Sequence, residues 1–264
     1  MSRLIVRASG LMAIVLMAIS AGLAHAGRPC ETKALTADVI ARAMALAATT
    51  AARLDESGAS VVVIARKGQD LSKYGVRYSH LGFAYKTSDG KWRVAHKLNE
   101  CATANAAVYR QGLGEFFLDD LWRMEAGIAI LTPTVQAKLL PALGDNARLA
   151  QLNTSAYSMV AYPWAQRYQQ SNQWAIETLA MTQDPDAVDR LHAQAWLQLK
   201  GYAPTTLHLS FMQRFGARVM SANVAFDDHP DEKRFTGQIQ TVTADSVFNW
   251  LERSGMGTRV RTIQ

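Results

Sequence analysis

The sequence predicts an α+β fold with a mainly antiparallel sheet packed by helices. Three observations point there. Residues 60–67 (SVVVIARK) form a β-branched run with Gly58 before it and Gly68 after it. Two further extended stretches, 77–86 and 92–98, are joined by Thr87-Ser88-Asp89-Gly90, a turn sequence suited to a hairpin. The helical segments come in groups, without the strand–helix alternation that a parallel sheet requires.

In chain order, residues 36–56 read as a helix: Ala, Leu, Met and Arg dominate, Thr36 can cap it, and Ser57-Gly58 stops it. The run at 60–67 reads as a buried strand, followed by the two hairpin strands. Residues 126–131 are a further apolar strand, ended by Thr132-Pro133, and 134–143 a short helix with Pro141 near its end. Residues 157–161 are assigned as a strand and 172–181 as an amphipathic helix, with Trp174, Ile176, Leu179 and Ala180 facing the core and Ser171 as N-cap. A helix at 187–200 stops at Gly201; 206–211, 219–226 and 237–243 are extended; 245–252 is the last helix, and the tail after Gly255 is loose.

Residues 1–26 carry the pattern of a secretory signal: Arg3 and Arg7, an uncharged apolar stretch from Leu11 to Leu23, then Ala24-His25-Ala26 as a small-x-small cleavage site. The expected product is periplasmic or secreted, cleaved after Ala26, with residues 27–255 as one domain and 256–264 as the tail. Export favours pairing the only two cysteines, Cys30 and Cys101, over a free catalytic thiol. Closing a loop of that length contributes on the order of 4 kcal/mol in the chain-entropy picture.

Composition excludes several classes. The net charge of +6 is mild and no basic run exceeds two residues, which argues against nucleic acid. With 49% hydrophobic and 19% charged residues, the bulk of the chain is not disordered. Two cysteines exclude a cysteine-rich zinc module. There is no internal repeat, and Gly112-Leu113-Gly114 lacks the rest of a phosphate loop, so no cofactor is expected.

The residues that can carry chemistry sit on the hairpin and before the helix at 172. His80 and His96 lie on the two hairpin arms, where one imidazole can orient the other as a general base near neutral pH. The alternative is two sheet histidines with no task. Ser171, at the helix start, is where a nucleophile or an anion is favoured as well as a cap. Tyr162-Pro163-Trp164, Tyr168 and Trp174, with Tyr78, are candidate groove-lining aromatics or core. Asp227-Asp228-His229 offers metal-ligand types, but only Asp227 and His229 share a strand face and no third ligand is evident, so a polar turn ended by Pro230 is expected and no metal site.

His80-x-Gly82 with a second His at the end of the next strand resembles the permuted branch of the papain-like peptidases and acyltransferases, which includes NlpC-like and lecithin-retinol-acyltransferase-like proteins. The likeness covers about residues 60–180, leaving 185–255 as a C-terminal extension. It implies His80 as base, His96 as orienting residue, and Asn172 as the Asn before the nucleophile, which places Gln173 where the Cys belongs. A carboxamide is no nucleophile. The whole mature chain resembles more closely an uncharacterised family of exported bacterial proteins, domain of unknown function 2145, through Gly68-Gln69-Asp70-Leu71, Tyr78-Ser79-His80, 96–101, 116–120, 171–174 and 223–230. The expected function is a papain-like domain that lacks its thiol and binds a cell-envelope peptide, glycan or acyl group. The alternatives are an active hydrolase or acyltransferase with Ser171 or Cys101 as nucleophile, and a purely structural envelope protein.

Overall fold

A computed structural model describes residues 34–119 and 121–264. The signal segment, its cleavage site and Cys30 of the expected disulfide lie outside the described residues. The fold class is α+β, as expected. The main sheet has six strands, all antiparallel, in the order β4-β3-β2-β1-β5-β8. These are β1 (Val61–Lys67), β2 (His80–Lys86), β3 (Trp92–Asn99), β4 (Ala106–Gly112), β5 (Arg123–Ile130) and β8 (Arg261–Ile263).

β1 is buried along its whole length because helices cover both sheet faces. Val62 and Ile64 pack with α1 (Ala37–Glu56) and α2 (Leu113–Phe117). Val61, Val63 and Ala65 pack on the other face with α3 (Pro133–Gly144), α5 (Ser171–Gln183), α6 (Arg190–Leu199) and α9 (Ala244–Arg253). The Thr36 hydroxyl caps α1 at the Val39 N–H. β2 starts three residues later than expected because the Arg77 and Tyr78 N–H groups donate to the Asp245 carboxylate of α9.

Between α3 and α5 lie α4 (Asn146–Ala150) and an irregular stretch, so the strand expected at 157–161 is absent. Its backbone bonds to Asn223 and within its own turn. The α5 expectation is corrected in two respects. Its N-cap is Gln170, whose side chain accepts from the Asn172 N–H, and Ser171 is the first helical residue. The helix is buried from Ser171 to Met181 on every side, so it is not amphipathic.

The C-terminal part pairs β6 (Thr205–His208) with β7 (Gln238–Thr241). α7 (Phe211–Met220) and α8 (Asp231–Thr236) stand between them, where extended chain was expected over 219–226. The tail is not loose: β8 adds to β5, the Thr258 N–H donates to the Ile130 carbonyl at 2.8 Å, and Ile263 is buried among the α1-side residues. Deleting residues 257–264 is therefore expected to lower the urea midpoint by the equivalent of about 2–4 kcal/mol, from the Ile263 side chain and lost strand pairing. A midpoint unchanged from the full chain would contradict this.

Candidate functional site

Alternation along the strands sorts the polar residues. On β1, Arg66 follows Val62 and Ile64 onto the α1–α2 face. On β2 and β3, His80 and His96 follow Ala84 and Val94 onto the same face. The two imidazoles meet there. His80 Nε2 lies 2.9 Å from His96 Nδ1, with ring centroids 5.1 Å apart. His96 Nε2 lies 2.8 Å from Gln111 Oε1 on β4. Phe116 of α2 packs edge-on against His96 at 5.3 Å, and the Arg66 guanidinium sits over the Phe116 ring at 4.7 Å. Arg66 also donates to the Phe116 carbonyl and to Asp119. Gly82 is required between the two histidines: a Cβ there would meet the Ala95 carbonyl oxygen at 2.6 Å and His96 Cβ at 2.8 Å.

The relay fixes a tautomer. Burial pushes the His96 pKa down to about 3, the Arg66 charge adds to the shift, and the Gln111 bond opposes it. His96 is thus neutral at ordinary pH. Its Nε2–H donates to the Gln111 oxygen, so Nδ1 carries the lone pair and accepts Nε2–H of His80.

α5 approaches from the opposite sheet face. Asn172 Oδ1 accepts the Leu81 N–H at 3.0 Å, and Asn172 Nδ2 donates to the Val242 carbonyl at 3.2 Å. The Gln170 side chain also reaches the β7 end, donating to Thr241 Oγ1 at 2.9 Å. The start of α5 is therefore pinned to the end of β2 on one side and to the C-terminal part on the other.

A cavity of about 820 Å³ wraps the strand ends where these pieces converge. One wall is polar: Arg66, Ser79, His80, Asp119, Ser171 and Asn172. The other is apolar and comes largely from the C-terminal part, with Leu207, Leu209, Val224 and Phe226, joined by Tyr74 and Val160. Tyr157 also lines it, and burial pushes its phenol pKa up.

Several expected site residues fall elsewhere. Gln173 does not line the cavity. Its amide donates to the Pro163 carbonyl at 3.2 Å and to Glu177 at 3.1 Å, behind α5. The assignment of Gln173 to the position facing His80 is thus corrected: Ser171 and Asn172 share the cavity with His80. Of the groove aromatics only Tyr78 lines it. Trp174 is fully buried against Phe83, Trp164 packs on Tyr202, and the Tyr168 carbonyl accepts from Arg190. Cys101 lines the cavity. His229 is held between Asp228 at 2.9 Å and the Gln240 carbonyl at 2.8 Å, and Asp227 pairs with Arg167. No group of metal-ligating side chains occurs among the described residues.

The sequence did not single out Arg66, Gln111 or Tyr157. Nor did it single out Lys97, which alternation sends to the α5 face. There it is buried and donates to the Thr154 carbonyl and to Gln169 Oε1. Burial pushes its pKa down to about 7, with Arg190 adding to the shift and Glu177 opposing it.

The family described as "Uncharacterized protein conserved in bacteria (DUF2145)" matches residues 53–251, and the chain belongs to it. No curated protein and no solved structure matches the chain. No helix among the described residues is long and apolar enough to cross a membrane.

The shifted groups set the pH dependence of stability. Between pH 6.5 and about 3 the unfolded chain protonates His96 while the folded chain does not. Stability contributed by neutral His96 is therefore present above pH 6.5 and is lost as pH falls through that window. Urea titrations from pH 6.5 to 4 are expected to show a slope steeper by about 1.4 kcal/mol per pH unit than in His96→Gln. Equal slopes would contradict a neutral buried imidazole. Lys97 gives the same sign at higher pH, with stability rising from about pH 7 to 10.5.

Proposed function

We propose that this member of an uncharacterised bacterial family is a binding domain of the cell envelope that takes an acyl chain carrying a polar head. The supporting observation is the two-walled cavity: apolar side chains from the C-terminal part oppose the polar cluster of Arg66, His80, Ser171 and Asn172. Its volume is in the range of small-molecule sites. Apolar walls favour an acyl group over a glycan, which needs polar partners along its whole length. The polar wall sets the charge of Arg66, an imidazole held by the His96–Gln111 relay, and the Ser171 hydroxyl beside one head group.

An active hydrolase or acyltransferase is the weaker reading. Among the described residues, the His80 ring bonds to His96 and makes no hydrogen bond to Ser171. The two residues arrive from opposite sheet faces. The papain-like frame thus supplies a base and its orienting partner, His80 bonded to His96.

Fluorescence titration with cis-parinaric acid tests the reading. Saturable binding is expected, weakened about tenfold by His80→Ala and abolished by Val224→Trp, which fills the apolar wall. Absence of saturable binding would refute the acyl reading. Labelling by a fluorophosphonate that disappears in both Ser171→Ala and His80→Ala would replace it with acyl-transfer chemistry.

A further inference from the structure

α7 is amphipathic in the reverse sense. Its inner side carries Ala217, packed with Leu209 and Val224, and Arg214, whose guanidinium donates to the Leu209 carbonyl. Its outer side carries Phe211, Met212, Phe215 and Val219, between 56% and 70% exposed, with Phe211 and Phe215 stacked at 6.2 Å. No residue of the helix is buried. The end of α8 abuts the start of α7, where Gly237 packs on Leu209 and Arg214, and it adds exposed Phe235. Isolated exposed apolar residues are ordinary, but a contiguous aromatic and aliphatic face marks a surface that something covers.

Charge indicates what covers it. The charged residues of α7 are Arg214 and Arg218, with no acid on the helix. Arg218 donates to the Val224 carbonyl and is exposed. On α8, Lys233 and Arg234 lie in the last turn beside Phe235, with Asp231 paired to Arg234 and Glu232 in the first turn. An apolar face flanked by cations is the pattern of a helix lying in a bilayer interface, its aromatics among the acyl chains and its cations at anionic headgroups. The same helix lines the cavity from Ala217 to Met220, so the apolar wall runs on to the exposed face.

We infer that α7 docks this protein on an anionic lipid surface, with Phe211, Met212 and Phe215 inserted and Arg218 of α7 and Lys233 of α8 at the headgroups. The inference stands on the helix itself, apart from the acyl-binding reading. If both hold, a lipid chain has a continuous apolar route from the bilayer to the cavity.

Flotation with vesicles tests it, using the protein as its host processes it. Binding is expected to palmitoyl-oleoyl-phosphatidylglycerol vesicles, weaker to the phosphatidylcholine equivalent, and reduced by about 1 M salt. The triple variant Phe211→Ser, Met212→Ser, Phe215→Ser changes exposed residues that do not line the cavity, and it is expected to keep its circular-dichroism melt. It is expected to lose at least about tenfold in vesicle affinity while binding cis-parinaric acid like the parent. No binding to phosphatidylglycerol, or binding unchanged in the triple variant, would overturn the inference. So would a dimer in sedimentation equilibrium that the triple variant abolishes, which would make the face a contact between two copies. Vesicle binding without cis-parinaric binding would leave the docking intact and sink the acyl reading alone.

Discussion

The Glu177 carboxylate, fully buried under α5, constrains everything around the cavity. A buried charge is tolerated only when paired and hydrogen-bonded. Glu177 accepts from Arg190 Nε at 2.8 Å and from the side-chain amides of Gln169, Gln173 and Gln194. Arg190 also donates to Thr154 Oγ1 and to the carbonyls of Ala165, Gln166 and Tyr168. These carbonyls belong to the irregular chain before α5, whose buried backbone would otherwise lack partners. One ion pair thus fixes a helix, its neighbour α6 and the loop that delivers Gln170 and Ser171 to the cavity. Losing either partner would strand the other in the core, at a cost of about 3–5 kcal/mol.

Strand alternation explains the division of labour around α5. On β3, His96 and Lys97 are adjacent, so they face opposite layers. His96 joins His80, Gln111 and Phe116 on the α2 side. Lys97 joins Gln169, and through it Glu177, on the α5 side. The papain-like resemblance implies that the base His80 faces the start of α5. Here they meet only around the strand ends, and the helix residue expected to face the base belongs instead to the Glu177 network. Among the described residues the imidazole relay therefore runs from His80 through His96 to Gln111, on the sheet face away from α5.

Much of this was legible in the sequence, and the rest was hidden for identifiable reasons. The Val-rich β1, the 87–90 turn and the Thr36 cap are local signals, and the two histidines on the hairpin arms follow from them. Gln173 was placed by the register of the papain-like resemblance, which says nothing of the buried Glu177 network that holds its amide. Arg66 was passed over as the end of an apolar strand, although the alternation that buries Ile64 also aims Arg66 at Phe116. α7 was missed, its two ends read as extended chain and 212–218 left unassigned, because its apolar face looks outward, and periodicity finds helices through the face they bury. β8 is three residues long and depends on β5 for its existence.

The cavity also changes how the C-terminal part is understood. As a sequence it looked like an extension of a papain-like unit. In the structure it supplies one of two walls, tied to the other by bonds to Thr241 and Val242 from Gln170 and Asn172. The Thr205–Thr243 hydroxyl contact then joins β6 to the start of α9, and α9 returns to β2 through Asp245. Neither wall encloses the space alone. The family match runs from residue 53 to 251 and spans both walls. The unit that makes the site is therefore the whole matched region, and an isolated 60–180 segment would present His80 and Ser171 to open solvent with no apolar surface opposite them.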